Sequence, residues 1–363
     1  MPIQTHFDKF NQAIYLTNQS SGYKKAKEKD ESILNDLKQH FRDKECPIKD
    51  TFLQGSFSVD TAINSLEGDY DVDRALVIDE NNAPTDPIKL KEVVLDVLKK
   101  RNFKNPKVKK PCVTADYLSI NLHIDYTIYT LDSLGNYKLA VGKLGSSENN
   151  KEWSPSDPKG LIEWINGYSS YGSDGLAKRK QYKRLVRYMK RWRDVNFNEQ
   201  SRKKLFSIGL TIMIKEQYKP SAYAEIENDL AVLEETIRNI LNAEYIRSEY
   251  SPDLPQYRIY TSLPTRPFRD VFQHKVDGGQ SVSGSDKNIG TQFRNKLQTL
   301  LSQLENAIAE TDEIKQCEIL NKVFGDDFKV PSSAGSTGSG SVGGAVAASY
   351  FPTAGASGTS QGA

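Results

Sequence analysis

The sequence predicts an α+β chain, a small mixed sheet backed by helices and followed by a helical domain. Three observations predict it. Residues 119–129, SINLHIDYTIY, alternate apolar and polar side chains with the period of a strand. Residues 71–79 begin with the alternating Asp71-Val72-Asp73 and run into Ala75-Leu76-Val77-Ile78, as a strand does on entering a core. Beyond residue 178 the chain reads mainly as helices, with Tyr182, Leu185, Met189 and Trp192 on one face and Leu233, Ile237 and Leu241 on another.

The elements follow in order. Ile33, Leu34, Leu37 and Phe41 make one buried stripe on a charged helix within 24–45. Pro47 ends that stretch, and the strand Thr51–Leu53 delivers a Gly55-Ser56 turn. The strand 71–79 is next. Asp86 suits an N-cap and Pro87 a first helical turn, with Leu90, Val94, Val97 and Leu98 as the apolar face. The strand around Asp125 follows. Residues 132–178, rich in Gly, Ser, Asn and Pro, read as an irregular crossing in which Trp153 and Trp164 pack against neighbours. Helices are expected at about 179–194, 202–217, 222–242, 287–311 and 313–324. From Pro331 the chain is Ala, Gly, Ser and Thr without a charged residue, a composition unable to offset the entropy of ordering. The expected domains are 1–135, a sheet core with its N-terminal helix; 136–330, crossing segment and helical domain; and 331–363, a disordered tail.

Composition narrows the function. The 363 residues carry 49 Lys and Arg against 47 Asp and Glu, so a large polyanion would have to be held by local patches. Cys46, Cys112 and Cys317 lie far apart, and neither they nor the four histidines match a zinc spacing. No apolar run is long enough to span a bilayer, and the cytoplasm is the expected compartment.

Asp71 and Asp73 are the chemically informative pair. Two residues apart on a strand, they share a face, and carboxylates held that close repel unless a cation lies between them. Magnesium takes such oxygen ligands together with substrate phosphates. The Gly55-Ser56 turn offers backbone N–H groups and a hydroxyl to those phosphates. Asp125 stands on the polar face of its own strand with Asn121 and His123, and a third carboxylate allows a second metal ion. This is the layout of a metal-dependent nucleotidyltransferase. Asp69 continues the alternation, so Asp69/Asp71 is the other possible register. By resemblance to known nucleotidyltransferases, Val72 after Asp71 suits that register, whereas the whole string GDYDVD is similar to their arrangement of acids and favours Asp71/Asp73, which is adopted here. His123 is read as a hydrogen-bonded packing residue. Arg266 and Arg269 are candidates for a nucleotide pocket or for fixing a loop.

The Gly-Ser turn, the paired acids and the later HID strand resemble the bacterial cyclic-oligonucleotide synthases related to cyclic GMP-AMP synthase, within the polymerase-beta-like nucleotidyltransferase superfamily. LVRYMKRWRD (185–194) is similar to the family helix whose lysine meets the triphosphate, here Lys190. LFSIGLTIM (205–213) is similar to the next helix, whose serine meets phosphate, here Ser207. NKVFGDDFKVP (321–331) is similar to the closing segment of the helical domain, so the resemblance runs from about residue 30 to 331. It implies two Mg²⁺ ions, replaceable by Mn²⁺, on Asp71, Asp73 and Asp125. Gly55, Ser56, Lys190 and Ser207 would hold ATP or GTP phosphates. It also implies a cyclic di- or trinucleotide product with release of pyrophosphate, an effector that the product activates in anti-phage defence, and conjugation of the tail by a ubiquitin-type ligase. No membrane or stable nucleic-acid partner is implied. The other Lys and Arg of 178–193 are expected to form a solvated cationic face. Competing readings are a transferase acting on RNA or a protein, and a non-catalytic scaffold on the same fold.

Overall fold

The computed structural model describes residues 3–17, 19–66, 70–103, 105–117, 122–167, 174–219, 227–250, 254–275 and 281–332. Asp69, Asn121 and the tail from residue 333, with Gly362 and Ala363, lie outside them.

Two helices precede the sheet. Helix α1 is Gln4–Ile14, and α2 is Ser21–Asp43 with Ser20 capping its N-terminus. Strand β1 (Ile48–Gln54) runs into the single turn α3 (Gly55–Ser58). Then come β2 (Tyr70–Asp79) and α4 (Ile88–Lys100), where Asp86 Oδ1 accepts from the Ile88 amide at 2.9 Å. The sheet is completed by β3 (Lys107–Val108), β4 (Val113–Tyr117), β5 (Leu122–Leu131), β6 (Tyr137–Val141) and β7 (Glu152–Ser156).

The seven strands form one mixed sheet in the order β1-β2-β5-β4-β3, with β6 and β7 added beside the far half of β5. Strand β5 lies parallel to β2 and antiparallel to β4 and β6. The irregular crossing expected over 132–178 is thereby corrected: its first part supplies β6 and β7, and α5 (Pro158–Asn166) follows, capped by Asp157. Alternation at YKLAV was masked by the polar residues around it. Trp153 donates to the Pro84 carbonyl at 3.0 Å, tying β7 to the start of α4.

Period two decides the two faces of the sheet. Val72, Leu76 and Ile78 of β2, with Leu122, Ile124, Tyr126 and Ile128 of β5, pack with α2 and α4 in one core. Arg74 shares that face. It donates from Nε to Asp30 Oδ2 at 2.8 Å, and Tyr126 donates to the other oxygen of Asp30 at 3.2 Å. Arg74 after Asp73 thus has a structural reason, independent of the acids on the opposite face. Those acids, Asp71, Asp73 and Asp125, precede Ala75, Val77 and Tyr129, which enter a smaller apolar cluster with Leu139 and Val141.

The helical part contains α6 (Gly175–Asn196), α7 (Glu199–Lys204), α8 (Ser207–Gln217), α9 (Asp229–Asn242), α10 (Lys287–Ala309) and α11 (Glu313–Phe324). Two hairpins, Ile246–Glu249 with Gln256–Ile259 and His274–Lys275 with Ser281–Val282, interrupt it. The helix expected at 202–217 is broken in two at Leu205-Phe206. Helix α1 belongs to this core: Phe7 and Phe10 pack on Tyr188, Phe324 and Phe328. Among the described residues no helix is long and apolar enough to cross a membrane.

Helix α6 is central, and its stripe Tyr182, Leu185, Met189, Trp192 is buried as expected. Its cations are not a solvated face. Lys178, Lys183, Arg187, Lys190 and Arg191 are all buried, and several have oxygen partners. Lys183 donates to Asp60 and Asn166, Arg187 to Asn11 and the Asp60 carbonyl, and Arg191 to the Asn64 carbonyl. Arg184 pairs with fully buried Asp229. Chain segments from both sides of α6 cover it, which spacing along a single helix does not reveal.

Breaking a buried ion pair leaves an uncompensated charge. Asp30→Ala strands Arg74 and the Tyr126 hydroxyl, and should cost about 3–5 kcal/mol in denaturant unfolding.

Candidate active site

The site starts from register. Gln54 of β1 lies opposite Asp73 of β2, and Asp73 lies opposite Asp125 of β5. Asp71 lies opposite His123. The sheet thus sets the three acids on one face across two neighbouring strands, with Asp73 in the middle.

The turn after β1 is fitted to that face. Buried Gln54 donates to the Thr127 hydroxyl at 2.8 Å and accepts from the Tyr129 hydroxyl at 3.2 Å, so the end of β1 is anchored on β5. Gly55 follows at φ +64°, in the left-handed region. A Cβ there would stand 2.0 Å from Asp73 Oδ2. Both the backbone conformation and the close approach of the acid require glycine.

A cavity of about 370 Å³ opens on this corner. It is lined by Gly55 and Ser56, by Asp71 and Asp73, by Lys190 and Arg193 from α6, and by Phe206 and Ser207 at the start of α8. Leu161, Ile162 and Ile165 of α5 form an apolar wall. The volume lies within the range of small-ligand sites.

Lys190 is 5% exposed and donates to the Thr61 carbonyl at 2.9 Å and the Thr61 hydroxyl at 3.2 Å. Burial, and next the Arg193 charge, pull its ammonium down to about 7, while Asp194 and Asp73 oppose the shift. Ser207 accepts from Arg193 at 2.7 Å. It begins α8, whose N-terminus lacks a side-chain cap and reaches the cavity through Phe206 and Ser207.

Asp73 is held well above the ordinary carboxylate range, first by burial and then by the Asp71 and Asp125 charges, with Lys109 and Lys190 acting against them. Asp125 is 2% exposed. It accepts from the Thr114 hydroxyl and lies 3.3 Å from Lys109 Nζ.

The carboxylates fit a hard divalent cation. Asp71 and Asp73 bring oxygen donors to the cavity, and the like charge that raises Asp73 is what such an ion would relieve. The trio is not preassembled: among the described residues no three His, Cys, Asp or Glu side chains are gathered around a point that could hold a metal. His123 lines the cavity and hydrogen-bonds Asp116 at 2.7 Å, as a packing histidine does. Arg266 donates to Asn136 and Arg269 is exposed, and neither lines the cavity. Gln54, Thr61, Lys109 and Thr114 escaped sequence reasoning. The alternation of Val113-Thr114-Ala115-Asp116 was a signal for β4, and with it for Thr114 beside Asp125.

Comparison with known proteins adds to this geometry. Residues 1–168 match the family model of the Second Messenger Oligonucleotide or Dinucleotide Synthetase domain. Over 240 residues the chain is 30% identical to a cyclic GMP-AMP synthase of Escherichia albertii. These residues are similar to the synthetase domain of the bacterial cyclic GMP-AMP synthase-like nucleotidyltransferases. The match covers 61% of this chain and 50% of that relative, so the chain spans about half the length of that synthase. A cyclic AMP-AMP-AMP synthase of an Acinetobacter species is 24% identical over 289 residues, covering 78% of this chain and 73% of the relative. Among solved structures, the Bradyrhizobium diazoefficiens CD-NTase CdnG in complex with GTP superposes with a TM-score of 0.60 at 13% identity, covering 90% of this chain and 96% of that one. The Vibrio cholerae cyclic AMP-GMP synthase in complex with nonhydrolyzable GTP does so with 0.54 at 19%, covering 77% and 69%. At these identities the structural likeness speaks for the fold: the sheet core with C-terminal helices that the sequence predicts.

The raised carboxyl of Asp73 has a pH signature. Between the ordinary carboxylate value and its raised one, the native state keeps a proton that the unfolded chain has lost. The associated stability is full at low pH and disappears as pH rises through the native value. Without divalent ions, unfolding of Asp73→Asn should lose less stability than the wild type as pH rises above the ordinary carboxylate range.

Proposed function

We propose that this protein is a Mg²⁺-dependent nucleotidyltransferase that joins nucleoside triphosphates into a cyclic di- or trinucleotide and releases pyrophosphate. The observation that carries the reading is the pairing of Asp71 and Asp73 with the Gly55-Ser56 turn in one cavity that Lys190 and the start of α8 also line.

In this reading Asp71 and Asp73 hold the ions, with Asp125 as the third acid. Bound divalent ions would supply charge neutralisation for the triphosphate and activation of the attacking ribose hydroxyl. The chain's own contribution is positioning and electrostatics, on which phosphoryl-type transfers mainly rest. Gly55 lets the backbone approach the acids closely, so that Ser56 and the adjoining amides meet phosphate oxygens beside the ions. Burial weakens the hold of Lys190 on its proton, and an arriving triphosphate would favour the charged ammonium, fixing a positive charge where it is needed. Ser207 and the first amides of α8 face the same anion. The apolar wall of α5 excludes water from the attacked phosphorus.

ATP and GTP are the proposed substrates and Mn²⁺ a substitute metal. Action in the cytoplasm, activation of an effector in anti-phage defence, and conjugation of the tail by a ubiquitin-type ligase belong to the proposal through family resemblance. The tail ends in Gly362-Ala363, outside the described residues.

The test is incubation of the purified protein with all four labelled nucleoside triphosphates and Mg²⁺, followed by phosphatase, chromatography and mass spectrometry. A phosphatase-resistant cyclic product is expected, lowered at least ~10²–10³-fold in Asp71→Asn/Asp73→Asn. A labelled macromolecule instead would favour the RNA- or protein-modifying transferase. A cyclic product undiminished in the variant would refute the assignment of the acids.

A further inference from the structure

Lys109 has no part in the roles above, yet it meets the acid farthest from the open cavity. Its Nζ lies 3.3 Å from Oδ2 and 3.4 Å from Oδ1 of Asp125, one ammonium shared between both oxygens. These distances exceed the 2.7–2.9 Å of a tight charge-assisted hydrogen bond, so the pair is close without being locked. Asp125 also accepts from the Thr114 hydroxyl, and the Cys112 thiol lies beside it. Asp71 and Asp73 feel the same ammonium.

The backbone under Lys109 is anchored by hydrogen bonds. The residue opens a tight turn in which its amide donates to the Cys112 carbonyl at 2.9 Å. Lys91, fully buried on α4, donates to the carbonyls of Lys109 at 3.1 Å, Lys110 at 2.6 Å and Gly142 at 2.9 Å. A flexible four-carbon stem therefore leaves a fixed anchor and brings one positive charge to an almost fully buried carboxylate. The Lys109 side chain remains 22% exposed, which leaves the ammonium a way into water.

We propose that Lys109 is the resident counter-ion of the acid cluster: it holds Asp125 while no divalent cation is bound and yields it when one arrives, so that this lysine sets the cluster's affinity for divalent cations. The proposal rests on the reading of Asp71 and Asp73 as metal-binding acids. The physical reason is competition. A single positive charge on a flexible stem and a doubly charged ion want the same oxygens, and the ion must displace or repel the lysine to reach them. Without the lysine the three acids would stand less compensated, which costs stability in the metal-free protein and strengthens the attraction for a cation.

The test is Mn²⁺ binding without nucleotide, by calorimetry and by the electron paramagnetic resonance signal of free Mn²⁺. It compares wild type, K109M, K109Q, D125N, K109M/D125N and D71N/D73N. Lys109→Met should bind Mn²⁺ about tenfold more tightly than wild type, and Lys109→Gln, which keeps a donor without the charge, should show a similar gain. In the Asp125→Asn background the gain from the lysine substitution should be clearly smaller than in wild type, because the shared carboxylate is gone and only the field of the ammonium on Asp71 and Asp73 is left; an equal gain in both backgrounds would overturn the role of Asp125. Binding that depends on Asp71 and Asp73 but is unchanged or weakened in both lysine variants would overturn the proposal alone. Equal binding by wild type and D71N/D73N would remove the metal site, and the proposal with it.

Discussion

Asp73 stands between two like charges, Asp71 along its own strand and Asp125 on the neighbouring one, and backbone register holds all three together. The repulsion is the constraint to which the surrounding structure answers. Lys109 approaches from the β3–β4 turn and Lys190 from α6, and both act on Asp73. Each is fixed by other contacts, Lys190 through Thr61 and the Lys109 backbone through Lys91. Gly55 exists in that form because Asp73 reaches the turn. A cluster of acids kept at this expense points to a cation, since an abandoned site would gain from losing one of them.

Helix α6 links this corner to the rest of the molecule. Its apolar stripe belongs to the helical core, while Lys183, Arg187, Lys190 and Arg191 contact the Asp60–Asn64 segment after the Gly-Ser turn. Cations cannot be buried in number without oxygen partners, and the loop carbonyls and Asp60 supply them. The turn is thereby positioned from two directions, by Gln54 on the sheet side and by α6 on the helical side. A cavity framed by two separately packed units, with acids from one and cations from the other, suits a negatively charged ligand held by metal on one flank and protein cations on the other.

Much of this was legible in the sequence where a period carried it. Alternation along β2 and β5 placed the acids and the core on opposite faces, and helical spacing found the buried stripes of α2, α4 and α6. What spacing could not carry was the partner of each residue. Lys109 and Asp125 are 16 residues apart and meet only because β4 pairs with β5. The burial of the α6 cations depends on segments more than 100 residues upstream. Strands β6 and β7 were hidden because polar and proline-containing sequence at a sheet margin looks like a loop. Residues Lys190 and Ser207 came from resemblance, and they lie on the same cavity as Asp71 and Asp73, which Asp125 does not line, each already engaged by a neighbour.

The central claim is that Asp71 and Asp73 gather divalent cations beside the Gly55-Ser56 turn. Anomalous diffraction from crystals grown with Mn²⁺ and a nonhydrolysable nucleoside triphosphate tests it most directly. The account predicts Mn²⁺ peaks against Asp71 and Asp73, with triphosphate density at Gly55 and Ser56. Peaks placed elsewhere, or a triphosphate bound away from that turn with no metal at these two acids, would contradict it.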